Sequence, residues 1–450
     1  MNMRAVILAA GKGTRMRSRR PKVLHELCGR TMFEHVLHAV RAAGVKEVVA
    51  VVSPDLRDAI KRFGVRPIVQ EPQRGTGHAA QLAMAALRGE DPVLIVSGDM
   101  PLLPARLLRA VIELRAQTAA AITMLTADIP GPTTFGRIVR ESGRPARIVE
   151  HADASPAERL ITEVNAGVYC FDAAALRGYL TRLDASNAQS ELYLTDCIQL
   201  AVDSGALVDA VVSRNQRDVM GVNTQAELAA ARYVMRRRIL RKHMLAGVGV
   251  VDPATTYVDV DVELAPDVTL LPQTHVLGRT RVARDAVIGP NTSLIDALVG
   301  ESATVTYSII RDSTIGAGAN VGPFAHVRGG AKIEEGARVG NFVEIKKSRL
   351  GRGAKASHLA YVGDADVGDE ANIGAGTITC NYDGVRKHRT KIGKRALIGS
   401  NSSLVAPLEI GEGALTGAGS VVTHDVSAGQ RVAGNPARPM PKKKERSRKS

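Results

Sequence analysis

A glycine-rich loop after the first apolar segment carries the residue types of a phosphate-binding site. From residue 8 it reads LAAGKGTRM. Gly11 and Gly13 would let backbone N–H groups approach an anion, and the loop's Arg15 and the downstream Lys22 add positive charge. The spacing fits neither a Walker A loop nor a dinucleotide fingerprint. Taken alone, the motif is equally consistent with a phosphate cradle and with a plain tight turn.

Further polar residues lie at the ends of predicted strands. Asp99 follows the apolar run Pro92–Ser97, where an Mg²⁺ ion that bridges phosphates needs an oxygen ligand, although a lone aspartate there is more often a turn or helix cap. Gln70 and Thr76 follow the third strand, and Asn223 comes just before a long helix. These residues favour the phosphate interpretation of the glycine-rich loop.

A histidine in the C-terminal half has the chemistry of a general base. The imidazole of His358, when neutral, can accept the proton that an amine loses as it attacks an acyl group. The alternative is a surface histidine, the commoner role of a lone residue of this type. Arg328 and Lys346, in neighbouring repeats, can bind a sugar phosphate, which favours a site. Cys380 has no adjacent histidine to activate it, so we predict no nucleophilic role.

The N-terminal half predicts the sheet that would position the first group of residues. Apolar runs Arg4–Ala10, Glu47–Val52 and Pro92–Ser97 are separated by the amphipathic stretches Thr31–Ala43 and Thr76–Leu87. This alternation indicates βαβ units and a Rossmann-like α/β fold with a largely parallel sheet covered on both faces. Ligands of such sheets lie beyond the carboxyl ends of the strands.

A long helix is predicted after this segment. Thr224 and Glu227 fit a capping box, and the run to Ala246 contains no glycine or proline until Gly247, the expected helix stop. The basic cluster at Arg236–Arg238 could bind nucleic acid. We favour a solvated connecting helix.

A six-residue period marks the C-terminal half. Aliphatic or small residues recur at Ile315, Val321, Val327, Ile333, Val339 and Ile345, and again at Ile392, Ile398, Leu404, Ile410, Thr416 and Val422. This period fits neither a helix nor an alternating strand, and it is typical of a parallel β-helix whose coils stack into a rod. Residues Thr379–Thr390 break the period and are predicted to project as a loop, a common location of functional residues.

Composition excludes several classes of protein. No CxxC pair occurs among Cys28, Cys170, Cys197 and Cys380, which argues against zinc knuckles and disulfide frameworks and predicts buried thiols in a reducing cytoplasm. No apolar run approaches the ~18–20 residues that span a bilayer, so we expect a soluble protein without a membrane partner. A net charge of +15 with 3% aromatic residues favours small phosphorylated substrates over nucleic acid. The basic run Lys442–Ser450 is predicted to be disordered.

The motifs of both halves together resemble a known enzyme family. The N-terminal half carries GxGTRM, PKVL, GTGHA, FGRI, VEH and VNAG, as in the sugar-nucleotide pyrophosphorylases. With the hexapeptide half, the chain is similar from about Arg4 to Val432 to the bacterial bifunctional N-acetylglucosamine-1-phosphate uridylyltransferases/glucosamine-1-phosphate N-acetyltransferases. The resemblance implies a uridylyltransferase domain at 1–223, a linker helix at 224–247, a left-handed β-helix acetyltransferase domain at 248–440 and a basic tail at 441–450.

The resemblance assigns roles in the first site. It implies that Asp99 and Asn223 hold Mg²⁺, and that Arg15 and Lys22 neutralise phosphate charge while the sugar 1-phosphate attacks the α-phosphorus of UTP. UTP and the UDP-sugar would be bound by Leu8, Ala9, Ala10, Gly11, Lys22, Gln70, Gly75, Thr76, Ser97, Gly98, Asp99 and Asn223, with sugar contacts from Gly136, Glu150 and Asn165. The family often has tyrosine where this chain has Ser97, so an aromatic wall beside the nucleotide would be missing.

The resemblance also assigns the second site. His358 would be the general base in direct acetyl transfer from acetyl-CoA, the acyl donor, to the 2-amine of glucosamine 1-phosphate. The sugar phosphate would be bound by Arg328, Lys346, Tyr361 and Asn372, and acetyl-CoA by Ala375, Asn381, Tyr382, Lys387, Ser400 and Ala418. The chain departs from the family at Gly329, where proline is common, and near its end, so the role of Arg438 stays open.

The family further implies a cytoplasmic homotrimer with sites shared between subunits, making a precursor of peptidoglycan and lipopolysaccharide. Two rival hypotheses remain. In one, the chain is a nucleotidyltransferase whose rod only assembles subunits, which leaves the residues around His358 without a purpose. In the other, it is a non-catalytic assembly or nucleic-acid-binding protein that uses the basic helix and tail.

Overall fold

The computed structural model describes residues 3–131 and 133–440, so the predicted basic tail lies outside the described residues. The chain divides into two compact units, Met1–Met235 and Arg236–Ser450, and the division falls inside a long helix. Among the described residues, no helix is both long and apolar enough to cross a membrane.

The first unit is an α/β domain. Its strands are β1 (Arg4–Ala9), β2 (Glu26–Leu27), β3 (Arg30–Thr31), β4 (Glu47–Val52), β5 (Arg66–Val69), β6 (Val93–Ser97), β7 (Ile122–Asp128), β8 (Arg137–Glu141), β9 (Arg144–Val149), β10 (Glu163–Phe171) and β11 (Val208–Ser213). The α-helices are α1 (Met32–Ala42), α2 (Arg57–Lys61), α3 (Thr76–Ala86), α4 (Ala105–Thr118), α5 (Ala173–Leu180), α6 (Asp196–Asp203) and α7 (Gln225–Leu245), which continues into the second unit.

The main sheet has the strand order β11-β7-β10-β6-β1-β4-β5. Strand β1 pairs in parallel with β4 and β6, and β11 pairs in parallel with β7, whereas β10 runs antiparallel to β6 and β7. The β8–β9 hairpin is attached to β10. The predicted Rossmann-like α/β class with a largely parallel sheet is confirmed.

Helices cover both faces of this sheet, as the continuous apolar strands require. Ile7 of β1 lies in a core with Phe33 of α1 and Leu108 of α4. Its neighbour Val6 points to the opposite core, which contains Ala83 of α3. Because successive side chains of a strand alternate between faces, one apolar run builds both cores.

The long helix α7 follows the predicted capping box. The Glu227 carboxylate accepts a hydrogen bond from the backbone N–H of Thr224 (2.9 Å), and the Thr224 hydroxyl accepts one from the Glu227 N–H (3.2 Å). Gly247, with φ of 93°, follows the helix end, as expected of a glycine stop. The guanidinium of Arg236 lies 4.7 Å from the ring centroid of Tyr257 in the second unit. This cation–π contact involves one arginine of the basic cluster.

The second unit is a parallel β-helix with three faces, confirming the predicted left-handed hexapeptide rod. The first face contains Gly249–Val250, Thr269–Leu270, Val287–Ile288, Thr304–Val305, Asn320–Val321, Arg338–Asn341, Lys355–His358, Asn372–Ile373, Leu397–Ile398, Leu415–Thr416, Arg431–Gly434 and the antiparallel Ala437–Pro439. The second contains Tyr257–Val258, His275–Leu277, Ser293–Ile295, Ile309–Arg311, His326–Arg328, Glu344–Lys346, Tyr361–Gly363, Ile378–Cys380, Ser403–Val405 and Val421–Val422. The third contains Glu263–Leu264, Arg281–Val282, Leu298–Val299, Thr314–Ile315, Lys332–Ile333, Arg349–Leu350, Ala365–Val367, Thr390–Ile392 and Leu408–Ile410.

The hexapeptide period builds the interior of the rod. Ile315 pairs in register with Ile333, which lies three repeats later on the same face, and Ile333 pairs with Leu350. These side chains are buried, so each repeat contributes an aliphatic residue to a stack inside the rod. The predicted break in the period is a loop that leaves the second face after Cys380 and returns to the third face at Thr390.

The four cysteines are free, and they differ in exposure. Burial raises the pKa of the Cys170 and Cys197 thiols to about 12. Cys28 and Cys380 are only half-buried, so the prediction of buried thiols is wrong for them. Cys28 lies in the turn between β2 and β3, and Cys380 ends a strand at the start of the projecting loop.

Candidate active sites

The glycine-rich loop lies at the carboxyl end of β1, as predicted. A Cβ atom built on Gly11 would meet nothing within 4 Å, so this backbone faces open space. Gly13 adopts a left-handed conformation (φ 61°), and a Cβ there would lie 2.8 Å from the Cβ of Lys22. The loop therefore needs glycine at position 13 both for its backbone angle and for the close approach of Lys22.

Lys22 joins two residues that are far apart in sequence. Its Nζ atom lies 2.6 Å from Oδ2 of Asp99 and donates a hydrogen bond to Oδ1 of Asn223 (2.9 Å). Asp99 follows β6 and Asn223 precedes α7, and the Val222 N–H donates to the Asp99 carbonyl oxygen (3.0 Å). The fold thus brings the two predicted metal ligands to one ammonium group.

The donor set at this point fits Mg²⁺. A carboxylate and an amide oxygen are hard oxygen ligands, and Mg²⁺ characteristically uses one or two protein oxygens and takes its other ligands from phosphates and water. The described residues contain no group of three or more histidine, cysteine, aspartate or glutamate side chains that could hold a metal alone. Asp99 and Asn223 are therefore suited to a metal that arrives with a phosphate ligand.

A cleft of about 440 Å³ connects these groups. Among the predicted nucleotide contacts it is lined by Leu8, Ala9, Ala10, Gly11, Lys22, Gln70, Gly75, Thr76, Ser97, Asp99 and Asn223, and it is also lined by Arg15, the predicted phosphate-neutralising residue. Gly98 does not line the cleft. Its N–H donates to the Leu8 carbonyl oxygen (2.8 Å), and a Cβ there would lie 3.0 Å from the same oxygen, so Gly98 permits close packing behind the loop.

The far wall of the cleft is built around the start of α3. The buried Gln70 donates from Nε2 to the carbonyl oxygen of Gly75 (2.9 Å), which fixes the direction of its amide. Gly75 has φ of 95°, and a Cβ there would lie 2.6 Å from the Leu192 carbonyl oxygen. The Thr76 hydroxyl accepts from the Leu194 N–H (3.1 Å). These contacts fix the amide of Gln70 at the wall of the cleft.

The three predicted sugar contacts lie together beside this cleft. The Asn165 N–H donates to the Gly136 carbonyl oxygen (2.9 Å), and a Cβ on Gly136 would lie 3.2 Å from Oε2 of Glu150. Burial raises the pKa of the Glu150 carboxyl, which accepts a hydrogen bond from the Thr195 hydroxyl (3.1 Å). Gly167, two residues after Asn165 on β10, lies against Ser97, which lines the cleft. A Cβ on Gly167 would lie 3.0 Å from the Ser97 hydroxyl oxygen, so this group adjoins the cleft.

Sequence reasoning missed several residues of this first site. Gln73 donates from Nε2 to the Ala10 carbonyl oxygen (2.5 Å) and lines the cleft, as does Glu191. Thr195 positions Glu150. Their positions result from loops that close over α3 and from the start of α6, and no local pattern marks them.

His358 lies at the end of a first-face strand and is held by the coil before it. Its Nδ1 atom lies 2.7 Å from Oδ1 of Asn341, with which it pairs in register. Because an amide oxygen can only accept, Nδ1 carries the hydrogen and Nε2 is left as the basic nitrogen. Asn341 was not predicted, and counting one coil back from His358 would have found it.

The predicted acyl-donor residues continue from His358 along one corner of the rod. The paired strands place Asn341, His358, Ala375, Ser400 and Ala418 at equivalent positions in successive coils. Backbone hydrogen bonds join these coils next to the column, for example from Asn401 N–H to the Ala375 carbonyl oxygen (2.7 Å). The corner between the first and second faces thus brings the predicted base and three predicted acetyl-CoA contacts into one line.

A cationic cluster lies across the second face. The buried Lys346 has its Nζ atom 3.7 Å from Oδ2 of Asp364, which also accepts from Asn381 Nδ2 (2.5 Å). The same amide donates to the Tyr361 hydroxyl (3.4 Å). The nearby ammonium of Lys346 lowers the pKa of Lys387. Two adjacent ammonium groups with one carboxylate leave this cluster suited to an anion.

Arg328 extends the cluster by one coil. It pairs in register with Lys346, and its Nε atom donates to Oε1 of Glu344 (2.8 Å). The bond fixes the guanidinium, which is the group best suited to a phosphate. Glu344 and Asp364 were not predicted, although both lie in the same coils as predicted residues.

The projecting loop is braced internally. Tyr382 is exposed, and its hydroxyl donates to the Gly384 carbonyl oxygen (2.6 Å). The carboxylate of Asp383 accepts from the Arg386 N–H (2.6 Å) and the Val385 N–H (2.8 Å) and contacts His388 Nε2 (2.6 Å). These bonds, the Arg386 N–H first, lower the pKa of Asp383.

One predicted sugar-phosphate contact lies elsewhere on the rod. Asn372 begins a first-face strand and pairs with Lys355 and Leu397, whereas Lys346 ends a second-face strand. In the described part of one chain, no hydrogen bond or ion pair joins Asn372 or His358 to Lys346. A single chain therefore does not bring the whole predicted group together. Arg438, in the terminal hairpin, donates to the Ala437 carbonyl oxygen (3.2 Å).

Comparisons with family models agree with the two units. Residues 5–166 match the MobA-like NTP transferase domain. Residues 312–347 match the bacterial transferase hexapeptide (six repeats), and residues 389–424 match the hexapeptide repeat of succinyl-transferase. Among solved structures, a putative glucose-1-phosphate thymidylyltransferase from Bacillus anthracis in complex with a sucrose matches at 20% identity and a TM-score of 0.43, covering 52% of this chain and 94% of that one.

Curated relatives match nearly the whole chain. The bifunctional protein GlmU of Desulfitobacterium hafniense (strain DSM 10664 / DCB-2) is 45% identical over 426 residues, which is 94% of each chain. That of Paenarthrobacter aurescens (strain TC1) is 46% identical over 94% of this chain and 87% of its own. That of Mycobacterium leprae (strain Br4923) is 45% identical over 94% and 89%. At this identity and coverage, the chain belongs to the family of bifunctional GlmU proteins.

Proposed function

We propose that this enzyme makes UDP-N-acetylglucosamine in two steps, each at one of the two sites described above. It transfers acetyl from acetyl-CoA to glucosamine 1-phosphate, and then uridylyl from UTP to the resulting N-acetylglucosamine 1-phosphate, releasing pyrophosphate. The observation that carries the proposal is that one chain of this family holds a phosphate loop beside Lys22, Asp99 and Asn223, and also a histidine with an oriented basic nitrogen at a rod corner.

In the first site, the protein aligns charged reactants. The backbone at Gly11 and the side chains of Arg15 and Lys22 bind the phosphates of UTP, and the amide of Gln70 faces the base. The phosphate oxygen of the sugar is already a nucleophile, so no general base is required. The cationic side chains stabilise the charge that moves to the leaving pyrophosphate.

Asp99 and Asn223 would hold Mg²⁺ in this site. When bound, the ion would supply positive charge that favours in-line displacement. Glu150 and Asn165 position the sugar next to the cleft. The side-chain oxygen Oδ1 of Asn165 already accepts from the Gly167 N–H (3.0 Å) and the Tyr169 hydroxyl (2.9 Å), so its Nδ2 group is directed to donate to a sugar oxygen.

In the second site, His358 takes a proton from the 2-amine as the amine attacks the thioester carbon. The new C–N bond forms, the C–S bond breaks, and coenzyme A leaves as a thiolate without an acyl-enzyme. Asn341 holds Nδ1 and stabilises the imidazolium that forms. Arg328, Lys346, Tyr361 and Asn372 bind the sugar phosphate, and acetyl-CoA lies along Ala375, Ser400 and Ala418 with Asn381, Tyr382 and Lys387 at the loop.

The second site is completed by a homotrimer. Asn372 and Lys346 lie on different faces of one rod, so neighbouring subunits would supply the missing member. Exposed apolar residues form a continuous column beside His358, namely Tyr307, Phe324, Phe342 and Leu359, which are 41–63% exposed in one chain. The Phe324 and Phe342 rings stack with centroids 5.3 Å apart. Sedimentation at micromolar concentration tests this trimer, and a monomer that is fully active in acetyl transfer would contradict it.

The remaining assignments follow from the substrates. We assign uridylyl transfer to residues 1–223, a linker to 224–247 and acetyl transfer to 248–440. UTP, acetyl-CoA and the sugar phosphates are cytoplasmic metabolites, so the enzyme acts in the cytoplasm. Its product feeds peptidoglycan and lipopolysaccharide synthesis.

The test separates the two half-reactions. Purified full-length protein is supplied with glucosamine 1-phosphate, acetyl-CoA, UTP and Mg²⁺, and each component is omitted in turn while coenzyme A thiol and pyrophosphate are followed. Thiol release should need only glucosamine 1-phosphate and acetyl-CoA. Pyrophosphate release should need every component, unless N-acetylglucosamine 1-phosphate is added directly. Pyrophosphate release that does not depend on either sugar phosphate would contradict the proposal.

A further inference from the structure

The ammonium of Lys22 lies where a metal ion held by Asp99 and Asn223 would bind. Its ammonium contacts both the Asp99 carboxylate (2.6 Å) and the Asn223 amide oxygen (2.9 Å), and its side chain is only 12% exposed. The two oxygens that would bind Mg²⁺ are therefore already satisfied by a cation of the chain itself. This arrangement has a consequence for the order in which metal and nucleotide bind.

The two oxygen ligands are fixed, while the lysine can move. The backbones of Asp99 and Val222 are hydrogen-bonded (3.0 Å), and the Asn223 N–H donates to the Glu227 carboxylate (2.6 Å). Lys22 has a flexible four-carbon stem whose Cβ packs against Gly13 of the phosphate loop. A rearrangement of the site would therefore move the ammonium and leave the oxygens in place.

An ammonium and a divalent ion cannot share these oxygens in this arrangement. Mg²⁺ needs oxygens at about 2.0–2.1 Å and near-octahedral space around it. The Asp99 side chain is 22% exposed, so repulsion between the two cations would be weakly screened. A metal ion that enters alone would have to break the ion pair and leave the lysine without a counter-charge.

We propose that Lys22 closes the metal site of the free enzyme and that nucleotide phosphate opens it. The phosphates of UTP draw the ammonium from Asp99 and Asn223 toward the loop at Gly11–Arg15, and the freed oxygens then bind the metal. Metal and nucleotide thus bind with positive coupling, and the lysine exchanges one anionic partner for another. The inference rests on the proposed role of Asp99 and Asn223 as metal ligands.

Coupling of this kind is reciprocal, so each ligand raises the affinity for the other by the same factor. The free enzyme should bind a divalent ion weakly, and removal of the ammonium should create a site that is open without nucleotide. Lys12 lines the same cleft but, among the described residues, makes no hydrogen bond or ion pair with Asp99 or Asn223, so its removal is a charge-matched comparison.

The experiment measures Mn²⁺ binding to the full-length protein by the electron paramagnetic resonance signal of free Mn²⁺, without nucleotide. We expect Lys22→Met to bind Mn²⁺ more tightly than the wild type by between about 5- and 150-fold, the usual range for coupled sites. Lys12→Met, which removes the same charge, should change the affinity much less. Lys22→Arg, which keeps a cation at the position, should bind as weakly as the wild type. With a non-hydrolysable UTP analogue, the wild type should lower free Mn²⁺ below the level that the analogue alone reaches at the same concentration.

Two results would overturn the inference. One is tight Mn²⁺ binding by the nucleotide-free wild type, and the other is Lys22→Met binding no more tightly than Lys12→Met while its thermal unfolding shows a folded protein. Asp99→Ala distinguishes this failure from failure of the proposed function. If Asp99→Ala does not weaken Mn²⁺ binding in the presence of the UTP analogue, the metal assignment itself is wrong. If it does weaken binding but Lys22→Met does not tighten it, only the closing role of Lys22 is wrong.

Discussion

Replacing Asn341 by alanine should slow acetyl transfer and leave uridylyl transfer unchanged. Asn341 Oδ1 accepts the hydrogen of His358 Nδ1 over 2.7 Å, and this bond selects the tautomer in which Nε2 is basic. In the proposed acetyl transfer, the His358 ring becomes cationic when it takes the proton, and the same bond becomes stronger. The substitution therefore removes stabilisation that is greatest in the transition state.

The magnitude follows from the strength and exposure of this bond. A hydrogen bond to a charged group contributes about 1.5–3 kcal/mol, and water can partly replace it because His358 is exposed. A net loss of about 1–2 kcal/mol corresponds to a fall in kcat of about 5- to 30-fold. The affinity for acetyl-CoA should change little, because Asn341 is not among the proposed cofactor contacts.

The assay follows loss of the thioester at saturating glucosamine 1-phosphate over a range of pH. Asn341→Asp places a carboxylate beside Nδ1 and should move the acid limb of the pH–rate profile to higher pH, because it stabilises imidazolium and a larger pH is needed to free the base. Asn320→Ala, an exposed residue that starts another first-face strand, is the matched control and should retain both activities. An Asn341→Ala enzyme with wild-type kcat and an unshifted pH profile would refute the role assigned to this pair.

Three further predictions concern other parts of the molecule. Glu150→Gln should raise the KM for N-acetylglucosamine 1-phosphate at neutral pH, because a buried charged acceptor becomes neutral. Burial raises the pKa of Glu150, so on acidification wild-type sugar binding should begin to weaken at a higher pH than an ordinary glutamate would give. A pH-independent KM would contradict this. Asp383→Ala should raise the KM for acetyl-CoA several-fold by freeing the loop, with uridylyl transfer as the internal control; an unchanged KM would separate the loop from acetyl-CoA. A thiol reagent should modify Cys28 and Cys380 in the native protein and all four cysteines after denaturation, because Cys170 and Cys197 are buried and burial raises their pKa to about 12. Rapid labelling of Cys197 in the native protein would contradict its buried position.

The local patterns of the sequence were sufficient to predict the two kinds of fold. The apolar run at β1 predicts a strand buried on both faces, and the structure ends it at Ala9, one residue earlier than predicted. The hexapeptide period predicts the rod because every sixth residue must point inward. The antiparallel strand β10 was not foreseen, since an apolar run does not state its direction.

Placement at strand ends explains why part of the first site was predictable. Asp99 follows the apolar strand β6, so the rule for parallel sheets puts it at the carboxyl edge, whereas Asn223 is marked only by its position before a predicted helix. Their common contact with Lys22 could not be predicted, because it joins side chains from three distant segments. Composition alone misjudged the cysteines, because exposure depends on which side of a strand or turn each thiol faces.

In the second site, the repeat itself contained a signal that was not used. Asn341 and Asp364 lie one coil from His358 and Lys346, and counting along the coils identifies both as neighbours. The same counting places Asn372 on another face, which argues for completion of the site by a second chain.

The central claim is that two chemically independent sites reside in one polypeptide. It is tested most directly by measuring both half-reactions in two variants, Asp99→Ala and His358→Ala. We predict that Asp99→Ala loses pyrophosphate release and retains thiol release, that His358→Ala shows the reverse, and that a mixture of the two variants again forms UDP-N-acetylglucosamine from glucosamine 1-phosphate. Loss of both half-reactions in either folded variant, or their retention in both, would contradict the account.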